Sequence, residues 1–501
     1  MKKVYSGSFE GINAKTVSVE TSFANGLPSF SIVGLGNASI QESKERIKSA
    51  LSANDYIFPP KRITINLSPS DLKKNGTHFD LCGAVLIALQ NEDVNFDEFY
   101  IFGELGLDGE VKETSSLFAL VLSLTQAGEL KKAIVPNSAL EKLSCIPNVE
   151  FYGVSSLKEC IEFFKSNLTK EPSQVTEFDF PFIQSRDRKL FYNTDYDLDF
   201  HDVKGQELAK RAAMISAAGM HNILFTGSPG CGKSMIAKRL QYILPPLDMN
   251  EILDNAKLDA LEGVEPSFRP LRTFRHPHHS STPASIFGGG SSGAKIGEIA
   301  LANKGILFFD ELPHFPKNIL EALREPLEDR RIMISRVNSK VEYPTDIMFI
   351  AAMNPCPCGN LLHQQKSCRC SDLEIKRYNN RLSEPFLDRI DISVEMQVSS
   401  SDDQSSLSSQ EIHKKVFEAL HLREARNQNE PNGKLSDEGV QEFCSVSTDN
   451  QDILRQASEN FGLSFRAINK TLKVARTIAD LENSTHIEKE HLMEALSYRR
   501  R

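Results

Sequence analysis

The chain has 501 residues, 40% of them hydrophobic and 25% charged, with a formal net charge of −9 at pH 7. These values are ordinary for a soluble protein of roughly two to four domains, and the acidic balance argues against bulk attraction to nucleic acid or anionic membranes, leaving only local basic surfaces for either. No apolar run approaches the ~20 residues of a transmembrane helix, and the N-terminal MKKVYSGSFEGINAK has two lysines with no apolar stretch behind them, so neither a span nor a signal peptide is expected.

Three blocks follow in chain order. Residues 1–170 mix alternating segments such as KTVSVETSF and RITINL with the helical pattern LCGAVLIALQ, which predicts an α+β domain. Residues 171–200 are polar and Pro-containing with little periodicity, and read as a linker. From 201 to 397 strand patterns alternate with helix patterns: NILFT then SMIAKRLQYIL, GILFF then NILEALREPL, then DIMFIAAMN. That alternation predicts an α/β domain with a parallel sheet and crossover helices. After a Ser/Asp-rich connector, residues 411–501 read as helices. Ile412, Val416 and Leu420 share one face, Ile468, Leu472 and Ala475 another, and Ser464 is a good N-cap.

The second block carries the chemistry. GSPGCGKS places Gly227, Ser228, Pro229, Gly230, Cys231, Gly232, Lys233 and Ser234 in the pattern G-x-x-x-x-G-K-[ST], with a strand before and a helix after. Backbone N–H groups of such a loop cradle phosphates, the lysine reaches the β- and γ-oxygens, and the serine hydroxyl holds Mg²⁺. These features predict an ATP site. A Gly-rich turn without a ligand is the plain alternative, and the strand–loop–helix context disfavours it. GILFFDEL delivers Asp310 and Glu311 from a buried strand, with Asp310 expected in the Mg²⁺ shell and Glu311 positioning or deprotonating the attacking water. Asn354 ends the next apolar strand, where its amide would orient that water. Arg389 and Arg466 follow in the order found in oligomeric ATPases. Arg389 reads as a finger reaching a neighbouring subunit's γ-phosphate and Arg466 as a nucleotide sensor on the helical region. A finger that acts in trans implies a ring, because heterologous contacts close into cyclic assemblies.

Four of the nine cysteines lie close together: Cys356, Cys358, Cys368 and Cys370. An odd count without an export signal points to a reducing, cytoplasmic setting, where clustered thiols bind metal more often than they form disulfides. A structural Zn²⁺ held by the four thiolates is the expected reading. The intervening LLHQQKS does not resemble core, so burial as small apolar residues explains the cluster less well.

Taken together, DVKGQ, HPHHS, GEIALANKGILFFDEL, NPCPCG, RLSEPFLDRIDI and ARTIADL resemble an AAA+ ATPase of the magnesium-chelatase-like branch and, more closely, the YifB/ComM family, over essentially the whole chain. The resemblance implies an AAA+ core with a C-terminal helical lid. It also implies a hexameric, ATP-driven DNA helicase that promotes branch migration in recombination during natural transformation. The first block resembles the peptidase domain of the Lon protease family through GTHFDLCGAVLIAL and FGELGLDGEVKETSSLFALV. At the expected nucleophile, however, it reads Phe79-Asp80-Leu81, and at the expected lysine it reads Phe118, with Lys112, Ser115 and Ser116 nearby; a domain without proteolytic activity is expected.

Two insertions are candidates for DNA. Leu271–Glu298, with His276, His278 and His279 and a glycine-rich middle, reads as a loop lining a pore. Arg330–Pro344 reads as a hairpin with Asn338-Ser339 at its tip, and by the resemblance Arg336 and Lys340 would carry positive charge to DNA phosphates. A chelatase-type motor or a remodelling ATPase acting on a protein client is the alternative. An ATP-dependent protease is disfavoured by the missing Ser–Lys pair. Against a chelatase stands the N-terminal block, which the chelatase motor subunit lacks by the same resemblance.

Overall fold

The computed structural model describes residues 2–36, 38–166, 171–289, 296–335, 340–398 and 407–499, with the side chains of residues 38, 335, 340, 341 and 461 also outside the description. The chain divides into two compact units: residues 1–179 with 253–268, and residues 180–252 with 269–501.

The first unit is built on a seven-stranded mixed sheet. In spatial order its strands are Ser29–Val33, Arg62–Ser68, Asn13–Ala24, Lys2–Glu10, Phe99–Ile101, Lys132–Pro136 and Glu150–Val154. Strand Asn13–Ala24 pairs antiparallel with both neighbours, in register Val4↔Val19 on one side and Val19↔Leu67 on the other. Its Val17, Val19 and Thr21 point inward and are buried, the alternation of a half-buried strand. Helix Asp80–Ala88 is buried from Asp80 to Ile87, as expected for a helix that is apolar on every side. Its one charge, Asp80, faces Arg46 with Nε 2.6 Å from Oδ2. At the position where a Lon-type nucleophile would stand, this unit therefore has a carboxylate engaged in an ion pair. Phe118 is buried inside helix Leu117–Gln126, and Lys112 is exposed beside Glu110.

The second unit is an α/β layer structure around a five-stranded parallel sheet, in the order Phe274–Arg275, Ile306–Phe309, Met348–Met353, Ile223–Gly227 and Ile392–Met396. The central strands read as unbroken apolar runs because helices cover both faces of such a sheet; all six residues of Met348–Met353 are buried. The C-terminal helices, including Ser409–Ala425 and Phe465–Leu481, share the sheet's core: Ile412, Val416, Val474, Ile478 and Leu492 pack in one cluster with Ile223, Phe225 and Ile350. Ser408 starts the first of these helices with a capping box to Glu411, and Ser464 caps the second.

Two stretches differ from their sequence reading. Phe182–Ser185 and Arg188–Phe191 form an antiparallel hairpin in the segment read as linker; strands of four residues are too short to show an alternation. The start of the first insertion belongs to the central sheet. Phe274–Arg275 pairs with Ile306–Phe309, and the buried Arg272 donates to the carbonyls of Pro245 at 3.0 Å and Lys304 at 2.7 Å. An arginine surrounded by carbonyl acceptors looks the same in sequence as one facing solvent. None of the described helices is long and apolar enough to cross a membrane.

Candidate nucleotide-binding site and cysteine cluster

Strand order dictates the site. The strand ending at Met353 lies between the strand ending at Gly227 and the strand ending at Phe309. Parallel strands carry their next residues to the same edge, where open α/β sheets bind ligands, so Asn354, the 228–232 loop and Asp310 emerge side by side. Gly232 caps helix Lys233–Arg239 at φ +94°, a left-handed conformation that favours glycine and turns the loop into the helix N-terminus.

Lys233 is buried. Its ammonium donates to the Gly227 carbonyl at 2.7 Å, the Ser228 carbonyl at 3.0 Å and Asn354 Oδ1 at 3.2 Å. Ser234 Oγ donates to Asp310 Oδ2 at 2.7 Å, so the hydroxyl and the carboxylate expected to share Mg²⁺ already meet. A loop that leaves its lysine among carbonyls, beside a serine–aspartate pair, suits a polyphosphate with a divalent cation: the lysine exchanges carbonyl partners for phosphate oxygens, and hard oxygen donors face the metal. Glu311 is exposed at φ +52°, and its backbone N–H bonds Asp310 Oδ1 at 2.9 Å.

Sequence reasoning missed one neighbour of Glu311. His279 Nδ1 lies 3.3 Å from Glu311 Oε2, with the His314 ring 5.9 Å from the His279 ring. The HPHH signal had suggested a pore loop, and only the fold brings it to the acidic strand.

Arg389 and Arg466 sit elsewhere. Both hold one carboxylate, Glu328: Arg466 Nη1 lies 3.3 Å from Oε1, and Arg389 Nη2 bonds Oε2. Arg389 Nη1 also donates to the Pro385 carbonyl at 2.7 Å. Together they border a cleft of about 390 Å³ that is also lined by Arg330, Lys434, Lys470 and Lys473. Behind it, Asn222 donates its backbone N–H to Asp391 and its side-chain amide to the Arg389 carbonyl, both at 2.9 Å, and Lys470 lies 3.1 Å from Asp391. Burial would raise the Asp391 carboxyl, but the charges of Lys470 and His221 hold it at about 2. Among the described residues, neither Arg389 nor Arg466 bonds the P-loop.

The four cysteines converge. Cys356, Cys358 and Cys368 have sulfurs 3.5–3.6 Å apart, the Cys358 N–H points at Cys370 Sγ at 3.4 Å, and one ligand atom from each of the four falls within 4.8 Å of the others. Arg336 lies outside the described residues. Lys340 opens strand Lys340–Pro344, which pairs antiparallel with Arg331–Ser335, and its side chain is not described.

Comparison with known proteins shows the family. The family described as magnesium chelatase, subunit ChlI, matches residues 199–404, its C-terminal part matches 406–499, and the family described as subunit ChlI of Mg-chelatase matches 19–139. The chain is 37% identical to the uncharacterized protein YifB of Salmonella typhimurium, over 98% of this chain and 95% of that one. It is 36% identical to YifB of Escherichia coli with the same coverage, and 35% identical to the competence protein ComM of Haemophilus influenzae over 99% of this chain and 97% of that one. The chain belongs to the YifB/ComM family. Membership in this magnesium-chelatase-like AAA+ group implies ATP hydrolysis with Mg²⁺. The match at residues 19–139 also removes one expectation: a family named for the chelatase subunit includes the N-terminal block, so the block no longer argues against chelatase kinship.

Proposed function

We propose that this protein is an ATP-driven, ring-forming DNA motor that promotes branch migration during recombination of incoming DNA in natural transformation. The supporting observation is the separation of two half-sites. Lys233 bonds Asn354 and Ser234 bonds Asp310 within one chain, whereas Arg389 and Arg466 are held on Glu328. In this reading Gly227 to Ser234 bind ATP, Ser234 and Asp310 hold Mg²⁺, Glu311 activates water and Asn354 orients it. Arg389 and Arg466 complete the site of the next subunit in a homo-oligomer, taken as a hexamer. Cys356, Cys358, Cys368 and Cys370 hold a structural zinc, Arg336 and Lys340 meet DNA phosphates in the pore, and the ring works in the cytoplasm. The N-terminal unit serves as a non-proteolytic module.

Kinship to the relative called a competence protein supports DNA as the substrate. The three chelatase-type matches keep a second reading in play, a chelatase-type motor or a remodelling ATPase with a protein client. The deciding experiment incubates the protein with labelled branched DNA, Mg²⁺ and ATP beside a Lys233→Ala control. Branch resolution by the wild type alone supports the motor. Absence of resolution, with ATP turnover indifferent to DNA, removes it in favour of the second reading.

A further inference from the structure

The segment from Asn354 to Asn379 leaves the sheet and comes back to its starting point. It departs at Asn354, whose Oδ1 accepts from Lys233, and passes the buried Cys356 two residues later. It then crosses an exposed stretch, Gln364 to Ser367, in which His363 Nδ1 accepts the N–H groups of Gln365 and Lys366. It returns through Cys368 and Cys370 to helix Asp372–Asn379, opened by a Ser371–Glu374 capping box. That helix carries the buried Tyr378, whose hydroxyl is hydrogen-bonded by the Asn354 backbone.

Little apolar burial holds this excursion. Leu361 is exposed, Leu362 is only partly covered, and the residues from His363 to Ser367 are polar. Fixing such a stretch costs backbone entropy that must be offset by another interaction. The sulfurs supply a candidate. Their 3.5–3.6 Å separations are far from the ~2.05 Å of a disulfide. They approach the edge of a tetrahedron, about 3.8 Å, that follows from Zn–S bonds of ~2.3 Å. Backbone N–H groups also point at the sulfurs, from Arg369 and Asn360 to Cys358 and from Cys358 to Cys370, the donors that a thiolate set needs to spread its charge.

The excursion touches the nucleotide loop. Gly359, at φ +77°, lies so close to Pro229 that a Cβ there would meet Pro229 Cδ at 2.5 Å. The cysteine loop therefore reaches the P-loop twice, through Gly359 on Pro229 and through Asn354 on Lys233.

We propose that Cys356, Cys358, Cys368 and Cys370 ligate one zinc ion, and that this ion sets the nucleotide affinity of the P-loop by holding Gly359 against Pro229 and Asn354 against Lys233. The coupling rests on the reading of Gly227–Ser234 as an ATP site; the metal count does not.

The test uses the full chain. Elemental analysis of purified protein gives zinc per chain, and Co²⁺ substitution reads thiolate ligation as charge-transfer absorption. Titration with a fluorescent ADP analogue then gives affinity for the zinc-loaded protein, for protein stripped by a chelator, and for stripped protein resupplied with Zn²⁺. The expected result is one zinc per chain and affinity lost by roughly 10- to 100-fold on stripping, the range over which groups supporting a metal site act, with recovery on resupply. Because stripped protein can unfold, Gly359→Ala supplies the second arm. It keeps all four thiols, so zinc should stay at one per chain while affinity falls. Zinc absent from protein expressed with the metal overturns the site. Zinc present, with affinity unchanged on stripping and in Gly359→Ala, overturns the coupling. If the zinc-loaded wild type binds no nucleotide, the ATP-site reading falls and takes the coupling with it, while the metal count stands as its own result.

Discussion

The two halves of the expected ATPase machinery are built in opposite ways. The phosphate side is assembled inside one chain: three adjacent parallel strands end together, Lys233 donates to Asn354 and Ser234 donates to Asp310. The arginine side stands apart from it, with Arg389 and Arg466 on the single carboxylate of Glu328 at the edge of a cleft rich in lysine and arginine. The first half needs only its ligand. In the second, two arginines share one carboxylate, and on the proposed reading a neighbouring subunit's nucleotide would take them over.

The largest effect should come from separating the halves by mutation. Arg389→Ala should bind ATP as well as wild type, since Arg389 lies outside the P-loop's contacts, and should turn it over about 10³- to 10⁵-fold more slowly, the range for a transition-state arginine. Equilibrium ATP binding and steady-state turnover check both parts. Mixing Arg389→Ala with Lys233→Ala chains should recover a fraction of activity, because a mixed ring pairs an intact phosphate side with an intact arginine from its neighbour. A mixture as dead as its components would mean that both halves serve the same chain. Glu311→Gln should follow, with turnover lower by roughly 10²- to 10³-fold, comparable to losing one strong transition-state group. ATP binding should be retained, because Glu311 is exposed and makes no contact with Lys233 among the described residues.

A smaller change should sharpen the arginine side. Glu328→Gln removes the charge that holds both arginines. Partly exposed ion pairs contribute about 0.2–1 kcal/mol each, so ring assembly in ATP should occur at roughly 2- to 10-fold lower protein concentration by sedimentation velocity. No change, or weaker assembly, would mean that Glu328 positions the arginines for the neighbour rather than restraining them.

The same contrast explains what could be read from the sequence. The phosphate side was legible because its parts are local. GSPGCGKS contains a complete turn, and GILFF and IMFIAAMN are unbroken apolar runs whose ends mark Asp310 and Asn354. The helical faces of Ile412, Val416 and Leu420 were legible for the same reason, period 3.6 against a buried core. On the arginine side, Arg389 and Arg466 stood out by their order in the chain, but the carboxylate they share did not. Glu328 lies in an ordinary charged helix, REPLED, and its meeting with Arg389 and Arg466 spans loops that no periodicity encodes. Gly359 against Pro229 and His279 beside Glu311 are likewise products of strand order. The Phe182–Phe191 hairpin and the buried Arg272 were missed because four-residue strands and carbonyl-lined arginines leave no pattern.

The smallest predicted effect concerns pH, and it isolates the wall behind Arg389. His221 is fully buried, with Nε2 2.7 Å from Thr477 Oγ1 and Nδ1 3.9 Å from Asp391. Burial pulls it down to about 4; Asp391 opposes that shift, and Lys473, Lys434 and Lys470 reinforce it. An unfolded histidine titrates near 6.5, so between about 6.5 and 4 the unfolded chain binds a proton that the folded chain does not. Stability linked to this group is therefore full above pH ~6.5 and declines as pH falls toward 4. Asp391 behaves differently: its carboxyl, held at about 2, keeps its stabilising charge until the pH drops below the ordinary carboxylate range. Two other buried histidines, His78 and His413, are pulled down to about 4 by burial and add to the acid loss, so the wild-type curve alone does not separate them. The difference between wild type and His221→Gln does. Gln keeps an amide within reach of Thr477 but takes up no proton, so the variant's Tm should fall less than the wild type's between pH 7 and 5, by on the order of 1 kcal/mol, or a few degrees for a unit of this size. If both curves fall in parallel, His221 titrates normally in the folded protein, and the wall behind Arg389 is open to water rather than packed.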